Sequence, residues 1–389
     1  MEGGSTRQKL IKKKRKLKGQ LFRSKNGEVV EDFSWRKRRQ ETAGDREDKL
    51  LRLHEEVVTK KKAKLVEKQL KEDKSAAYTL SIAIPGSFLN NGQSAELRSY
   101  MAGQIARAAT IFCANEIVIY DETSKMTQES INAYWSGHWN ADIMPADSNF
   151  EACFHLAKIL EYLECPQYLR RRLFPFHRAL KYAGLLNPLD ANHHLKSEDL
   201  SHRFREGVIL NKPIKKGRGP LVDIGLDKEF QIEEEISLPP DTRVTVEIKN
   251  LEEERDSRRF RGSISSAKKV REATGHYWGY SVRLATSLKE VLDRRRYDCI
   301  VGTSPRGCPV AEADFCLLNK TNILIVFGGV QGVDAALESE EALEAAKAEE
   351  AFDRLINSLP HKGTRTERVE ENVLITLSEM TMRLRQLLS

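Results

Sequence analysis

Asn322-Ile-Leu-Ile-Val-Phe327 is followed without a break by Gly328-Gly-Val-Gln-Gly332. The first stretch has the length and composition of a buried strand. The glycines after it leave the backbone open to close approach by a ligand, because glycine has no side chain and tolerates positive φ. Glycines in this place can also form a plain turn, so this loop alone does not decide between a turn and a ligand site.

Two further predicted loops carry special residues. Tyr297–Val301 is predicted to be a strand and is followed by Gly302-Thr-Ser-Pro-Arg-Gly307, and a second glycine loop stands at Gly363-Thr-Arg-Thr366. Open α/β sheets bind ligands outside the carboxyl ends of their strands, so three such loops favour a small-molecule or cofactor site over three turns. The chain has neither GxGxxG with a following ribose-binding acid nor GxxxxGK[ST], which argues against a dinucleotide fold and a P-loop.

The sequence from residue 76 onward predicts an α/β order. Ala76–Ile84 has the pattern of a buried strand, Ser94 can cap a helix that runs to Ala109, and Ile117–Tyr120 is a second strand. Strand, helix and strand in this order predict a parallel pair with a crossover helix. Asn149–Leu173 is predicted to be one further helix.

From about His202 the pattern changes to short alternating strands with glycine and proline between them. Such strands without an intervening helix predict a small β-barrel inserted into the α/β domain. We predict a basic tail over residues 1–75, a first α/β part over 76–200, a barrel over 201–275 and a second α/β part over 276–389. The predicted barrel strands are Gly207–Leu210, Gly219–Gly225, Thr242–Ile248 and Phe260–Ile264.

The last quarter of the chain returns to alternating helices and strands. We predict helices over Leu284–Arg294, Ser339–Leu359 and Val373–Leu388, and strands over Tyr297–Val301 and Ile323–Phe327. The acidic residues of the second of these helices are expected on a solvated face, and a dimer or partner contact is the alternative.

The ordered loops resemble motifs of the SPOUT class of S-adenosylmethionine-dependent RNA methyltransferases. Phe327-Gly-Gly-Val-Gln-Gly332 is similar to the second motif of that class, and the run from Gly363 to Ser378 is similar to its third. Arg365-Thr-Glu367 resembles the bacterial enzymes that methylate N3 of a uridine in small-subunit ribosomal RNA. The resemblance covers residues 76–389. Several relatives carry an acidic residue before the last glycine of the second motif, where this chain has Gln331.

The resemblance implies an α/β fold with a trefoil knot, interrupted by an OB-like β-barrel as in a eukaryotic and archaeal branch of the class. It also implies S-adenosylmethionine as cofactor and a homodimer, because the class builds its site across two subunits. Backbone groups of the glycine loops are expected to hold the cofactor. The cofactor-binding residues that the resemblance implies are Thr303, Arg306, Gly328, Gly329, Gly332, Thr366, Asn372, Val373 and Leu374.

Arg306 is the predicted catalytic residue, because an arginine at the carboxyl end of a strand can hold an RNA phosphate or stabilise the anion of a deprotonated base. A structural arginine paired with Asp298 or Asp314 is the alternative. Glu367 is the second catalytic candidate, as a proton acceptor or a contact to the ribose.

The function that the resemblance implies is methylation of N3 of a uridine in ribosomal RNA. The competing hypothesis is a binding protein that keeps the cofactor pocket and attaches to RNA or to components of the mitotic spindle or kinetochore, since one member of the branch also bears a centromere-protein name. Loss of cofactor affinity would favour the binding protein.

Basic residues cluster in two predicted barrel loops and are candidates for binding RNA along its backbone. A solvated hairpin rim is the alternative. The aromatic residues Tyr277, Trp278 and Tyr280 are expected to anchor the returning chain in the core, with stacking on a base as the alternative. The candidate RNA-binding residues are Lys212, Lys215, Lys216, Arg218, Arg255, Arg258, Arg259 and Arg261.

Charge is distributed unevenly along the chain of 389 residues. Residues 1–75 hold 24 Lys or Arg against 13 Asp or Glu, and the remainder holds 40 against 44. The clusters Lys12–Lys16 and Arg36–Arg39 are typical of a nuclear or nucleolar address and of phosphate-binding patches, with a merely solvated charge run as the alternative. The tail is expected to be largely disordered, with a surface helix or tether over about 45–72.

Composition sets further expectations. No run approaches the 18 or more apolar residues that span a bilayer, so no membrane is expected as a partner. The six cysteines, which form no CxxC pair, are expected to be reduced core thiols without a metal. They are Cys113, Cys153, Cys165, Cys299, Cys308 and Cys316.

Overall fold

The computed structural model describes residues 78–137, 149–196, 199–214, 217–249, 258–315, 321–338 and 351–388. The predicted basic tail, including its helix over about 45–72, lies outside the described residues. The strands are β1 (Tyr78–Pro85), β2 (Glu116–Tyr120), β3 (Phe204–Ile209), β4 (Leu221–Asp223), β5 (Phe230–Ile232), β6 (Arg243–Ile248), β7 (Phe260–Ser265), β8 (Ser281–Ala285), β9 (Cys299–Pro309), β10 (Thr321–Val326) and β11 (Arg354–Asn357). The α-helices are α1 (Ala95–Ile111), α2 (Gln128–Trp135), α3 (Asn149–Glu164), α4 (Gln167–Leu173), α5 (Ala267–Thr274), α6 (Leu288–Val291), α7 (Gly332–Glu338) and α8 (Val369–Leu388).

Six strands form a parallel sheet in the order β11-β9-β10-β1-β2-β8. Ile82 of β1 is in register with Ile325 of β10 on one side and with Ile117 of β2 on the other. The predicted parallel pair of first and second strands, joined by a crossover helix, is confirmed. Ser94 caps that helix, since its hydroxyl accepts the backbone N–H of Leu97 at 3.2 Å.

Alternate residues of the central strands pack in opposite directions, which explains their continuous apolar sequence. Ile82 and Ile84 of β1 pack with α1, α3 and α8 on one face. Ala83 belongs to the core on the other face, with Leu324 and the α7 residue Val333. The helices therefore cover both faces of the sheet, and the carboxyl ends of the strands remain as the edge at which loops converge.

One predicted helix is divided in the structure. Asn149–Leu173 forms α3 and α4, separated by Cys165 and Pro166. The cause is Pro166, because proline has no N–H for the helical ladder and disfavours helical backbone at the residue before it. Pro166 instead precedes the first turn of α4 as its N-terminal cap residue.

The last quarter departs from the predictions in three places. The predicted helix Leu284–Arg294 is the short α6, which starts after its cap residue Ser287. The predicted helix Ser339–Leu359 is wrong at its end, because Arg354–Asn357 is the edge strand β11 and residues 339–350 lie outside the described residues. The strand β9 runs on to Pro309, although its pairing with β11 jumps from Gly302 to Cys308.

The short strands of the middle region close into a barrel in the order β3-β4-β5-β7-β6. The neighbours pair antiparallel, except that β5 and β7 are parallel. The predicted barrel strands are present, and β5 is an additional strand of three residues that was not predicted. Phe230 of β5 lies in the barrel core with Val222, Val246 and Phe260.

Buried polar contacts fix the barrel to the α/β part. The guanidinium of Arg243 lies between two carboxylates, with Nη2 at 3.1 Å from Glu164 Oε1 on α3 and Nε at 2.8 Å from Glu206 Oε2 on β3. Burial would raise the pKa of Glu164, but Arg243 and His193 outweigh it and hold that pKa far below its usual range. The pair remains ionised at neutral pH and joins the two parts of the fold.

The aromatic residues Tyr277, Trp278 and Tyr280 act as core anchors, as predicted. Trp278 is 3% exposed and donates its indole N–H to Glu206 Oε1 at 2.7 Å. The hydroxyl groups of Tyr280 and Tyr277 donate to the carbonyl oxygens of Leu160 and Ala114 at 2.9 and 2.8 Å. Their rings are held inside the junction, so stacking of Trp278 or Tyr280 on a base is excluded.

Candidate functional site

The glycine loop after β10 closes on itself before α7 begins. The N–H of Gly332 donates to the carbonyl oxygen of Gly329 at 3.1 Å, and Gly332 has φ +83°. A Cβ on Gly328 would stand 2.2 Å from the backbone nitrogen of Val333. Both positions require glycine, since the loop turns directly against the first turn of the helix. The tip of the loop presents Val330, which is 72% exposed.

Glu122, directly after β2, contacts the glycine loop and was missed by the sequence analysis. Its Oε1 accepts the N–H of Gly329 at 3.0 Å, and its Oε2 accepts the hydroxyl of Ser87 from the turn after β1. A Cβ on Gly329 would stand 2.3 Å from Oε1. Burial raises the pKa of Glu122. The available signal was the acidic pair Asp121-Glu122 at the carboxyl end of a predicted strand.

The end of β10 is held from both sides. The hydroxyl of Tyr120 donates to the carbonyl oxygen of Phe327 at 2.7 Å, and the hydroxyl of Thr303 donates to that of Val326 at 3.2 Å. Thr303 is 7% exposed, so its side chain supports the strand end at which the glycine loop starts. Its contact with a cofactor stays a prediction.

Arg306 lies in the five residues, 303–307, at which β9 and β11 are not in register. Its Nη2 stands 2.6 Å from Oδ2 of Asp334 on α7, and the arginine side chain is 75% exposed. Neither Asp298 nor Asp314 is this partner. Asn357 on β11 holds this bulged segment, since its Nδ2 donates to the carbonyl oxygen of Pro305 at 2.9 Å. Arg306 is thus placed beside the glycine loop, with its charge largely in solvent.

The third loop leads from β11 into α8. Thr366 is exposed, and the carboxylate of Glu367 lies 2.5 Å from Nζ of Lys362. Asn372 Oδ1 accepts the hydroxyl of Thr376 at 2.8 Å, and the same hydroxyl lies 2.5 Å from that of Ser358. This chain of contacts connects the end of β11 with the first turns of α8. The ion pair with Lys362 joins two residues of this loop and occupies the carboxylate of Glu367. The catalytic role of Glu367 stays a prediction.

Two other predicted cofactor residues lie on α8. Val373 is fully buried in the core, so only its backbone can face a ligand. Leu374 is 45% exposed and lines a cleft of about 240 Å³ between α1 and α8, together with Tyr100 and Ile111. The structure brings Gly328, Gly329, Gly332, Thr303 and Arg306 together, whereas Leu374 faces α1.

The loops at this edge fit S-adenosylmethionine in their chemistry. The glycine loop follows β10 and the segment 358–366 follows β11, and the glycine loop offers backbone donors and acceptors with few bulky side chains. Val330 at the tip of the glycine loop leaves an apolar side chain exposed at this edge. The cofactor contacts of Thr366 and Asn372 stay predictions.

The basic barrel residues fall into three groups. Arg259 Nη2 stands 3.3 Å from Oε2 of Glu229, and Lys212 pairs with Oε1 of the same carboxylate. The two basic loops therefore meet at Glu229. Arg218, Arg258 and Arg261 are exposed. Lys215, Lys216 and Arg255 lie outside the described residues.

The cysteines differ in their exposure. Cys153, Cys165 and Cys299 are buried, but Cys113 and Cys308 are exposed. The expectation of core thiols is wrong for the last two, because Cys113 stands in the turn between α1 and β2 and Cys308 at the outer end of β9. Cys316 lies outside the described residues. In the described part of the chain, no three His, Cys, Asp or Glu side chains come together as metal ligands.

The helices of the described ranges include none that is long and apolar enough to cross a membrane. Fold and site together define an α/β protein with a cofactor-type glycine loop at the carboxyl edge of a parallel sheet. A family model described as "Putative RNA methyltransferase" matches residues 79–380, which is most of the chain. The chain belongs to this family.

Named relatives agree with the family. "Putative methyltransferase spot-1" of Caenorhabditis elegans is 53% identical over 97% of this chain and 98% of its own length. The "28S rRNA (uridine-N(3))-methyltransferase" of Homo sapiens is 43% identical over 80% of both chains. The SpoU methyltransferase AviRb from Streptomyces viridochromogenes, solved with AdoMet, aligns over 31% of this chain and 43% of its own at 23% identity and a TM-score of 0.20. A structural likeness of that size carries no argument.

Proposed function

We propose that the protein is an S-adenosylmethionine-dependent methyltransferase that modifies N3 of a uridine in ribosomal RNA. The observation that carries the proposal is the identity of 43% over 80% of the chain with a 28S rRNA (uridine-N(3))-methyltransferase. The glycine loop against Glu122, at the carboxyl edge of the sheet, supplies the place at which such chemistry is done.

When bound, the cofactor supplies an electrophilic methyl carbon on a sulfonium sulfur, and that sulfur keeps the electron pair of the carbon–sulfur bond when the methyl group is transferred. The work left to the protein is to align the base and to handle one proton. Backbone groups at Gly328, Gly329 and Gly332 hold the cofactor. Arg306 stabilises the anion of the deprotonated base or holds an adjacent phosphate.

The barrel serves as the RNA-binding part. Its strand order, with one parallel pair between the third and fifth strands, supports an OB-type barrel, and barrels of that type bind oligonucleotides. The exposed side chains of Arg218, Arg258 and Arg261 provide positive charge on its surface. Single-stranded RNA follows such a surface through phosphate contacts.

The protein acts as a homodimer through α1 and α8. Supporting this are Tyr100 and Ile111 on α1, 46% and 52% exposed, and Leu374 and Met382 on α8, 45% and 63% exposed. Large apolar side chains on two adjacent helices mark an interaction surface. A trefoil knot at the C-terminal strands is part of the proposal and is supported by the family membership.

The basic tail directs the protein to the nucleus and nucleolus, where ribosomal RNA is made, and its charge supports this part of the proposal. Association with the mitotic spindle or kinetochore stays a prediction from the resemblance. The enzyme is preferred over the binding protein because the glycine positions of the loop are intact.

The test is methyl transfer with the full chain. Purified protein, S-adenosylmethionine with a labelled methyl group and ribosomal RNA from cells that lack the protein are incubated together, and the RNA is digested for mass spectrometry of nucleosides. We expect labelled 3-methyluridine. Cofactor binding without any labelled nucleoside would favour the binding protein, and a different methylated nucleoside would overturn the assignment of the atom.

A further inference from the structure

Asp121 and Glu122 are adjacent carboxylates that make opposite kinds of contact. Asp121 is 1% exposed and caps its own turn, accepting the backbone N–H groups of Thr123 at 3.0 Å, Lys125 at 3.0 Å and Met126 at 2.9 Å. The side-chain hydrogen bonds of Glu122 to Ser87 after β1 and to Gly329 after β10 reach residues that are remote in sequence. Asp121 holds local structure, whereas Glu122 joins the loops of three neighbouring strands.

The place of Glu122 in the sheet puts it across the glycine loop from Arg306. The strand order β9-β10-β1-β2 sets Arg306, at the end of β9, on one side of the loop and Glu122, at the end of β2, on the other. A Cβ at position 329 would stand 2.3 Å from Oε1, so a larger residue there would displace this carboxylate. The glycine thus leaves room for a carboxylate against the cofactor loop.

We propose that Glu122 is the general base that accepts the N3 proton of the target uridine. This inference rests on the proposed function. In the step, the N3–H bond breaks, the proton bonds to a carboxylate oxygen of Glu122, and the electron pair of that bond stays on N3. N3 then bonds to the methyl carbon as the bond from that carbon to the sulfonium sulfur breaks and its electron pair stays on the sulfur. The proton passes from Glu122 to water after the modified base has left.

The surroundings of Glu122 suit that role. Its side chain is partly buried, and burial raises the pKa of the carboxyl group. A carboxylate with a raised pKa is a stronger base, and efficiency is highest when the pKa approaches the working pH. The hydroxyl of Ser87 and the N–H of Gly329 orient the carboxylate, and the arginine across the loop can face the charge that develops on the uracil ring.

The test compares Glu122→Gln with the full-length wild type. Glutamine keeps the size of the side chain and an oxygen that accepts the N–H of Gly329, but it does not take up a proton. We expect kcat to fall about 100-fold or more, while the dissociation constant for S-adenosylmethionine, measured by titration calorimetry, changes by less than about threefold. Glu129→Gln, an exposed carboxylate on α2, is the matched control and should keep wild-type kcat.

A second readout separates a base from a residue that only holds the loop. RNA in which uridine is replaced by 5-fluorouridine has a more acidic N3–H, because fluorine withdraws electron density from the ring. It should restore part of the activity of Glu122→Gln and change the wild type little. The wild-type rate should fall as the pH is lowered through the pKa of Glu122. This inflection should be absent in the variant, whose rate should instead rise with pH as the N3–H of the base itself ionises.

The outcomes are distinct. A wild type that transfers no methyl group to RNA defeats the proposed function itself. An active wild type with an equally active Glu122→Gln variant overturns the role of Glu122. A variant that loses cofactor affinity, and whose activity 5-fluorouridine does not restore, shows that Glu122 only shapes the loop, which also overturns the inference.

Discussion

Arg306 Nη2 stands 2.6 Å from Asp334 Oδ2, and this ion pair joins the bulged segment 303–307 of β9 to α7, the helix that follows the glycine loop. Residues that are 28 positions apart in sequence are thereby held at one edge of the sheet. An exposed ion pair of this kind contributes about 0–1 kcal/mol to stability. Its effect is to orient the guanidinium toward the glycine loop.

Replacement of Arg306 by alanine should lower methyl transfer with little effect on the cofactor. We expect kcat to fall roughly 100-fold, the size seen when one charge-stabilising donor is removed, with cofactor affinity changed by less than about threefold. Single-turnover methylation and calorimetry measure the two quantities. Arg295→Ala, at an arginine side chain that is 95% exposed, serves as the control. Wild-type activity in Arg306→Ala would remove the catalytic assignment.

Gly329→Val should abolish cofactor binding. The new Cβ would displace the carboxylate of Glu122 or move the loop, because only 2.3 Å separates its position from Oε1. Titration with S-adenosylmethionine measures the loss. Gly184→Val is the matched control, since a Cβ on Gly184 meets nothing within 4 Å. Equal affinity in the valine variant at 329 would place the cofactor elsewhere.

Ile111→Asp should shift the protein from two chains to one. Ile111 is 52% exposed on α1 and lines the cleft against α8, and a buried unpaired carboxylate in an apolar interface is strongly unfavourable. Light scattering after size exclusion gives the mass. Ile214→Asp, at an equally exposed isoleucine of the barrel, should leave the mass unchanged. A wild type that is already monomeric would contradict the proposed interface.

Stability should depend on pH through Glu161, which lines the cleft between α3 and the barrel. Burial raises the pKa of Glu161 from 4.5 to about 7, against the opposing effect of Lys158. The folded state therefore binds more protons at Glu161 than the unfolded state between these pH values. The contribution of Glu161 to stability is fully present below about pH 4.5 and is lost as the pH rises through about 7. The loss is on the order of 3 kcal/mol.

Urea unfolding at pH 5 and pH 8 measures this effect. Glu161→Gln carries no proton to lose, so it should raise the unfolding free energy at pH 8 and flatten the slope between the two pH values. Glu129→Gln should retain the slope of the wild type. A variant at 161 that keeps the full slope would show that another group causes it.

The double variant Arg218→Ala/Arg261→Ala should weaken RNA binding and its salt dependence. Each phosphate contact on a single strand contributes about 0.7 to the slope of log K against log salt, so the slope should fall by roughly 1.4. Fluorescence anisotropy with a labelled single-stranded RNA measures both. Arg295→Ala, an arginine side chain that is 95% exposed, is the control. An unchanged salt dependence would show that these arginines are solvated residues on the rim of the barrel and do not contact RNA.

The predictable parts of the fold were those in which a local pattern carries the cause. Ile323–Phe327 and Leu80–Ile84 are buried on both faces, so their sequences are almost entirely apolar. Ser94 is recognisable as a cap from its position alone. The strand β11 was missed because it has four residues and follows an acidic stretch that favours a helix.

Long-range contacts account for what the sequence did not reveal at the site. The glycine loop was found because glycine has a local signature. Glu122 was not, because its partners Ser87 and Gly329 lie 35 and 207 residues away. Arg306 was singled out correctly as a residue of this edge, but its partner Asp334 was not among the two acids considered.

The bridge of Arg243 between Glu164 and Glu206 has a consequence for how RNA would be read. A buried charged group that loses its partner costs about 3–5 kcal/mol, so a barrel held by this bridge does not swing freely against the sheet. A strand gripped by the barrel would then reach the glycine loop after a set number of nucleotides. The protein would then select its uridine by the distance along the RNA strand from the nucleotides bound to the barrel, as well as by the base itself.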